Sequence, residues 1–287
     1  MILGASGFIG RKLASASRAA GIETTTLTSK VVDLAQPESS ARLADMLKPS
    51  DSVVMLAAAP VRKGRDTEAV IRNLILGEST CRAVARANCA HVVYVSSDSV
   101  YPFGPAPITE ADMAAPTYLY AAMHATRELM FREAVKTRLA IVRPTQIYGA
   151  DDTHNAYGPC RMFRSALADG KIALFEGGEE MRDHLYIDDL VWLLVQVVRQ
   201  RGAGVLNLAT GRSVTFEDLA RRISALIDRP IEFVTQPREK LTITHRHFDI
   251  SALRRALPDF AATPLDEGLA RMLAELETAG SKAAAAS

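Results

Sequence analysis

The segment "YLYAAMHATRE", residues 118–128, sets Tyr120, His124 and Glu128 four residues apart. Residues i and i+4 share one face of a helix, so a helical segment would stand these side chains in a row. A phenol can take or return the proton of a substrate hydroxyl once its pKa, about 10 when free, is brought toward neutrality. A neighbouring positive charge does that, and His124 is the neighbour this spacing supplies. Unperturbed histidine titrates at about 6.5, which leaves two alternatives: the site raises His124 until it is cationic, or a bound group supplies the field. The plain alternative is a helix in which Tyr120 covers the core and His124 decorates the surface. Tyr118 is a second candidate for the phenol, but its i+4 partner is Ala122, and Glu128 then falls out of step.

A second set of residues has the spacing of a phosphate loop. "ILGASGFIGRKLA" places Gly4, Gly7 and Gly10 between an apolar run and a helical stretch, with Ser6, Phe8 and Ile9 in the intervals. Glycines there allow a tight turn, close approach of backbone to a pyrophosphate, and packing of helix on strand, with phosphate at the helix N-terminus. Alone, the triplet also fits a ligand-free strand-to-helix turn. At the end of the second expected strand, an acid would bind a ribose 2′-hydroxyl and a cation a 2′-phosphate. The sequence there is "LTSK"; Ser29 and Lys30 lean toward NADP, Lys30 also reads as an ordinary solvated side chain, and NAD and NADP both stay open.

Both groups need a scaffold that brings strand ends together. Through residue 149, short aliphatic runs at 1–3, 24–28, 52–57, 91–96 and 139–144 alternate with amphipathic stretches, as a parallel sheet covered by helices requires. From residue 150 the texture turns to Gly, Asp, Asn and Pro with isolated helices. The expected architecture is α/β, a Rossmann-type doubly wound parallel sheet over 1–149 with return segments near 183–209. A smaller C-terminal substrate-binding α/β domain over 150–182 and 210–278 and a disordered tail over 279–287 complete it. A first strand of three residues is short for a sheet centre.

Composition excludes several classes. The 287 residues are 48% apolar and 23% charged with a net charge of +1, which offers no field for nucleic acid. No apolar run approaches the ~18 residues of a membrane span, and the start, Met-Ile-Leu-Gly, carries no charged leader, so a cytoplasmic protein is expected. Cys81, Cys89 and Cys160 match no metal or redox spacing and are expected as buried small residues, Cys160 in a polar loop. His245 and His247 share a face of an extended segment but have no third ligand nearby, so no metal is expected.

The glycine loop has companions in order: "VVDLAQPE", "MLAAAP", "YVSSDSVYP", the Tyr120 helix and "IVRPTQIYG". As a set they resemble the extended short-chain dehydrogenase/reductase family, the NAD-dependent epimerase/dehydratase type acting on nucleotide sugars, over residues 1–269. The resemblance implies that the backbone of residues 4–10 holds the pyrophosphate and that Asp33 with Leu34 frames the adenine. It places Ala57, Ala58, Ala59, Ser96, Pro144 and Thr145 around the nicotinamide, and Asn73 where the family has an asparagine. It makes Tyr120 the acid/base and Ser97 the hydroxyl that binds the same substrate oxygen. His124 stands where the family has a lysine that lowers the phenol's pKa and hydrogen-bonds the nicotinamide ribose; the alternative source of charge is then the oxidised nicotinamide. Asp98 matches the general acid of sugar 4,6-dehydratases, but Ser99 replaces their glutamate, which disfavours that dehydration and leaves 4-epimerisation or keto-sugar reduction.

On the substrate side the resemblance puts Gln146 at the diphosphate, Phe175 beside the nucleobase, and Arg182 and Arg246 at phosphate; pairing of Arg182 with Asp183 or Glu180 is the plain alternative. Gly158 and Pro159 stand where epimerases carry an asparagine pair, so an anionic substrate is implied but not UDP in particular. Asp152, His154, Asn155 and Tyr157 either read the sugar or build a solvated loop. The implied assembly is a homodimer through "TEAVIRNLILGESTCRAV" and the Tyr120 helix, faces that serve equally for packing on the sheet. The implied function is an epimerase or oxidoreductase of a nucleotide-linked sugar. An NADPH-dependent reductase of a small carbonyl, and a dinucleotide-binding protein with little turnover, remain alternatives.

Overall fold

"SVVM" and "HVVYV" are built on valine, whose branched Cβ suits a strand covered on both faces, and nearly all their residues are buried. The computed structural model describes residues 1–59, 67–152, 158–237 and 244–285. In chain order the first part holds β1 (Ile2–Leu3), α1 (Phe8–Ala19), β2 (Thr26–Leu27), α2 (Ser39–Met46), β3 (Ser52–Met55), α3 (Thr67–Ala87), β4 (His91–Val95), β5 (Pro107–Ile108), α4 (Leu119–Ala134) and β6 (Arg138–Pro144). There follow β7 (Gln146–Tyr148), α5 (Gly158–Asp169), β8 (Lys171–Phe175), β9 (Met181–Tyr186), α6 (Ile187–Arg199), β10 (Gly204–Leu208), β11 (Ser213–Thr215) and α7 (Phe216–Leu226). The chain continues through β12 (Glu232–Gln236), β13 (His247–Phe248), α8 (Ser251–Ala256) and α9 (Leu265–Ala285).

Six strands form one parallel sheet in the order β2-β1-β3-β4-β6-β10. The order reverses between β1 and β3, and the crevice beyond the strand ends at such a point is where ligands of doubly wound sheets bind. The segment 183–209 returns to this sheet through β10 and supplies α6, which packs beside α1. β1 is shorter still than the three residues expected from sequence, two residues, yet its neighbours hold it: the Met1 amine donates to the Ser52 carbonyl at 2.7 Å and Leu56 N–H to the Leu3 carbonyl at 3.0 Å.

Two apolar clusters lie on either side of the sheet. One joins Leu43, Val84, Tyr94 and Phe131 under α2, α3 and α4. The other runs from Leu13 and Leu194 beneath α1 and α6 without a break to Phe163, Ile223 and Met272 in α5, α7 and α9. Smaller sheets, β11-β9-β7 and β12-β8, sit on that second side. α9 presses against Tyr148, whose hydroxyl lies where a Cβ at Gly268 would stand, and Tyr186 reaches Glu275 at 3.3 Å. This helix continues to Ala285, into the stretch read from sequence as a disordered tail.

Gly4 takes φ +86°, and a Cβ on it would meet the backbone of Ala57 at 2.7 Å. A Cβ on Gly10 would strike the Gly4 carbonyl and the Ala5 Cα at 2.8 Å. At Gly7 the nearest atom would be 3.4 Å away, so space does not demand glycine there. Gly10→Ala should therefore cost about 1–3 kcal/mol of stability by overpacking, whereas Gly7→Ala should cost less than about 1 kcal/mol; urea unfolding of the two variants checks this difference.

Candidate active site

α4 begins after Tyr118 and carries Tyr120 in its first turn, with His124 and Glu128 on the two turns that follow. Glu128 is buried and takes a bidentate ion pair from Arg143 on β6, Nε to Oε1 at 2.9 Å and Nη2 to Oε2 at 2.5 Å. Ser96, just past β4, donates to the same Oε1 at 2.7 Å. Arg143 also donates through Nη1 to the Tyr101 hydroxyl at 2.7 Å, which donates to Asn207 Oδ1 on β10 at 2.9 Å. This face of α4 is thus tied to the ends of three strands. A buried pair is sustained where further partners hold its remaining donors and acceptors, as Ser96 and Tyr101 do here.

Ser97 follows in extended backbone and caps a single 3-10 turn over Asp98–Val100, accepting from Ser99 N–H at 3.1 Å. Its hydroxyl donates to Asp98 Oδ1 at 3.4 Å, and it lies near enough to Tyr120 to act on the phenol, so the two groups expected to share one substrate oxygen are neighbours. Burial, followed by Tyr94, Tyr118 and Asp98, pushes the Tyr120 phenol above its ordinary pKa, while Ser97 opposes the rise. Tyr120 therefore stays protonated at neutral pH. His124 is buried, its ring edge-on to Tyr120 with centroids 4.7 Å apart, and its Nδ1 lies 2.7 Å from the Tyr94 hydroxyl. Burial, and then the Arg127 cation, lower its pKa to about 3. In the ligand-free protein this favours the neutral imidazole of the two alternatives that the sequence leaves open.

The cofactor-side residues surround the crevice between β1 and β3. Gly7 caps α1 without a side-chain bond, no acid lies in the first turn, and Ser6 is exposed, leaving an open cradle. These features fit a dinucleotide pyrophosphate. Phe8 is buried and Ile9 half-buried against the core. Asp33 accepts from Ala35 N–H at 3.1 Å and pairs with Arg72 at 3.3 Å; Leu34 is buried beside it, and Ser29 and Lys30 are exposed. Asn73 uses its amide on backbone, bonding Ala59 N–H and carbonyl at 3.0 Å each and the Ala69 carbonyl at 2.8 Å. It fixes the 57–59 loop, and Arg127 donates to the Ala57 carbonyl at 3.2 Å. Ala58 is the exposed member of that loop, Pro144 is buried at the end of β6, and Thr145 donates to the Asp183 carbonyl at 2.9 Å.

On the substrate side the two arginines are already engaged. Arg246 pairs with Asp98 at 3.2 Å and donates to the Tyr101 carbonyl at 2.9 Å; both members of the pair are buried. Asp98, expected as a free acid, is thus locked to a cation. Arg182 donates to the Thr244 carbonyl at 2.6 Å and hydroxyl at 2.7 Å, with Glu180 at 3.8 Å. Both guanidinium groups lie over the ring of Phe103, at 4.3 and 4.8 Å. Phe175 borders a cavity of about 150 Å³ with Arg161, Met162, Glu180 and Phe216. Gln146 on β7 pairs in register with His184 on β9, a buried histidine without a hydrogen-bond partner, as is Gln146 Oε1. Asp152 is buried, and His154, Asn155 and Tyr157 lie outside the described residues. His245 and His247 stack at 5.8 Å, and no metal-holding cluster occurs among the described residues. Cys160 is not in a loop but buried in α5, its thiol pushed up to about 11 by burial.

Tyr94, Arg127, Arg143, Phe103 and His184 escaped the sequence reading. "HVVYV" and "IVRP" carried the signal, since a hydroxyl or a guanidinium inside a buried strand needs a partner.

A family model described as the NAD dependent epimerase/dehydratase family matches residues 1–209. The UDP-glucose 4-epimerase of Mycolicibacterium smegmatis is 26% identical over 94% of this chain and 96% of its own. Among solved structures, the fold is shared with the Thermus thermophilus UDP-glucose 4-epimerase in complex with NAD, at a TM-score of 0.85, 18% identity and coverage of 96% of this chain and 98% of that one. It is shared also with the NAD-dependent NDP-hexosamine 5,6-dehydratase TunA, at a TM-score of 0.83, 23% identity and 96% of each chain.

Two outcomes follow from this geometry. Glu128→Ala leaves Arg143 buried and uncompensated and should lower the unfolding free energy by about 3–5 kcal/mol, read as a shift in urea midpoint. His124 and His184 are both held to about 3 by burial, so the unfolded chain binds more protons than the folded one below its ordinary value of about 6.5. Stability should fall as pH drops from about 6.5 toward 3, against an opposing contribution from Asp183, which burial raises to about 6; His184→Phe should flatten the fall in thermal unfolding scans.

Proposed function

The chain belongs to the NAD-dependent epimerase/dehydratase family, and on that premise we propose that it is a 4-epimerase of a nucleotide-linked sugar. The observation that carries this reading is the ion pair that ties Asp98, the acid a dehydratase would use, to Arg246, with Ser97 and Tyr120 left as neighbours at the end of β4. Ser99, with its hydroxyl unpartnered, stands where a second carboxylate would be needed. Oxidation and reduction at one sugar carbon need, besides a nicotinamide cofactor, only Ser97 and Tyr120.

The residues divide the work as follows. Ser97 donates to the sugar oxygen and fixes it against Tyr120. Tyr120 begins as a phenol; to accept the hydroxyl proton it must first lose its own, which burial opposes, so the cation beside it has to arrive with the bound ligands. The backbone of residues 4–10 and the α1 N-terminus hold the pyrophosphate, Asp33 and Leu34 flank the adenine, and the 57–59 loop, fixed by Asn73 and Arg127, borders the nicotinamide. When bound, NAD supplies the hydride acceptor. The nucleobase enters the cavity bordered by Phe175, and Gln146 faces the diphosphate. Arg182 and Arg246, each with an acidic neighbour, shape that side through Phe103.

A second reading, reduction of a keto-sugar with NADPH, draws on the exposed Ser29 and Lys30 beyond β2. We also propose a homodimer through α3 and α4, which pack together and expose Ile71, Ile75 and Leu129. Light scattering should give twice the chain mass for the wild type and the single mass for Ile75→Asp.

Incubating the protein and NAD with UDP-glucose should yield its 4-epimer, and Tyr120→Phe should lower the rate by about 10²–10⁴. Equal rates for wild type and variant would overturn the enzyme reading, and product only with NADPH and a keto-sugar would favour reduction.

A further inference from the structure

The partner of His124 is not on its own helix. Tyr94 stands in β4 within a run of valines, fully buried, its ring stacked on Phe131 with centroids 4.8 Å apart and an interplanar angle of 17°. The Arg127 guanidinium lies 5.0 Å from the centroid of the same ring. Held in this way, the Tyr94 hydroxyl comes within 2.7 Å of His124 Nδ1. We propose that Tyr94 is a positioning residue that donates its proton to Nδ1 of His124 and so fixes the neutral imidazole as the tautomer with hydrogen on Nε2.

The direction of this bond follows from relative strengths. Phenol is a proper hydrogen-bond donor, and the imidazole lone pair is a much stronger base than a phenol oxygen, so the proton lies between them on the tyrosine side. Ser96, the neighbouring hydroxyl, gives its proton to Glu128, which is paired with Arg143 and can only accept. Protonation of both imidazole nitrogens is opposed by burial and by Arg127, the charged group acting on the ring from α4 itself. The tautomer leaves one N–H at the ring corner remote from Tyr94, on a ring that Tyr120 meets edge-on at 75°.

This assignment rests on the family reading, in which position 124 hydrogen-bonds the nicotinamide ribose. His124 then keeps the donor half of the lysine's task and gives up the charge half. Tyr94 sets which nitrogen donates. Without it, the ring would present a lone pair as readily as an N–H.

Nitrogen-15 NMR of the full chain labelled at histidine, with His124 assigned by subtraction of a His124→Gln spectrum, tests the proposal without any nucleotide sugar. The wild type should show His124 as the Nε2–H tautomer, without titration around the ordinary pKa of about 6.5. In Tyr94→Phe both tautomers should appear, and the dissociation constant for NAD should rise about two- to tenfold, the worth of one neutral hydrogen bond. An Nδ1–H tautomer or an imidazolium in the wild type, or an unchanged tautomer in Tyr94→Phe, would overturn it; if that variant does not fold, the wild-type spectrum decides. Failure of the epimerase reading leaves the tautomer result standing, so the two are separable.

Discussion

Everything at the site is referred to the bidentate bond between Arg143 and Glu128. A carboxylate on a helix and a guanidinium on a strand, both removed from water, have no acceptable arrangement other than facing each other with their remaining valences filled. Ser96, Tyr101 and Asn207 fill them. The consequence is geometric: α4 cannot slide or rotate relative to β4, β6 and β10 without breaking several matched bonds together. Ser97 and Tyr120, one residue beyond Ser96 and two turns before Glu128, inherit that fixed relation.

Burial serves a different purpose a few ångströms away. The Tyr120 phenol, the His124 imidazole and the Tyr94 hydroxyl all sit where burial disfavours charge. Charge is concentrated instead in pairs that cancel, Arg143 with Glu128 and Arg246 with Asp98. In a low dielectric, any cation that then enters the crevice acts on Tyr120 with little competition from solvent. The family pattern places a permanent cation on the helix; here the helix offers a neutral ring whose orientation is set from the neighbouring strand.

The sheet and its crevice were legible because they depend on local signals. Valine runs mark β3 and β4, and Gly4 and Gly10 are required by the close backbone of Ala57 and Ala5, whereas Gly7 is not required by space. The Tyr120 register was legible from helical spacing. What could not be read are pairings across strands distant in sequence: Tyr94 with His124, Arg143 with Tyr101, Asp98 with Arg246. Each residue could be noticed as a polar group in an apolar setting, yet its partner is set by tertiary packing. Cys160 illustrates the converse. Its surroundings look like a loop because of Gly158 and Pro159, but proline in the first turn of a helix forfeits no hydrogen bond, and α5 starts there.

The contact of α9 with Tyr148 has a bearing on the order of synthesis. β7, which carries Tyr148 and Gln146, leaves the ribosome long before Gly268, the residue whose missing side chain makes room for the tyrosine. Until α9 emerges, one face of the substrate half has no cover, while the six strands that hold the crevice are complete by residue 208. During synthesis the parallel sheet is therefore complete before the helix that covers Tyr148 has been made.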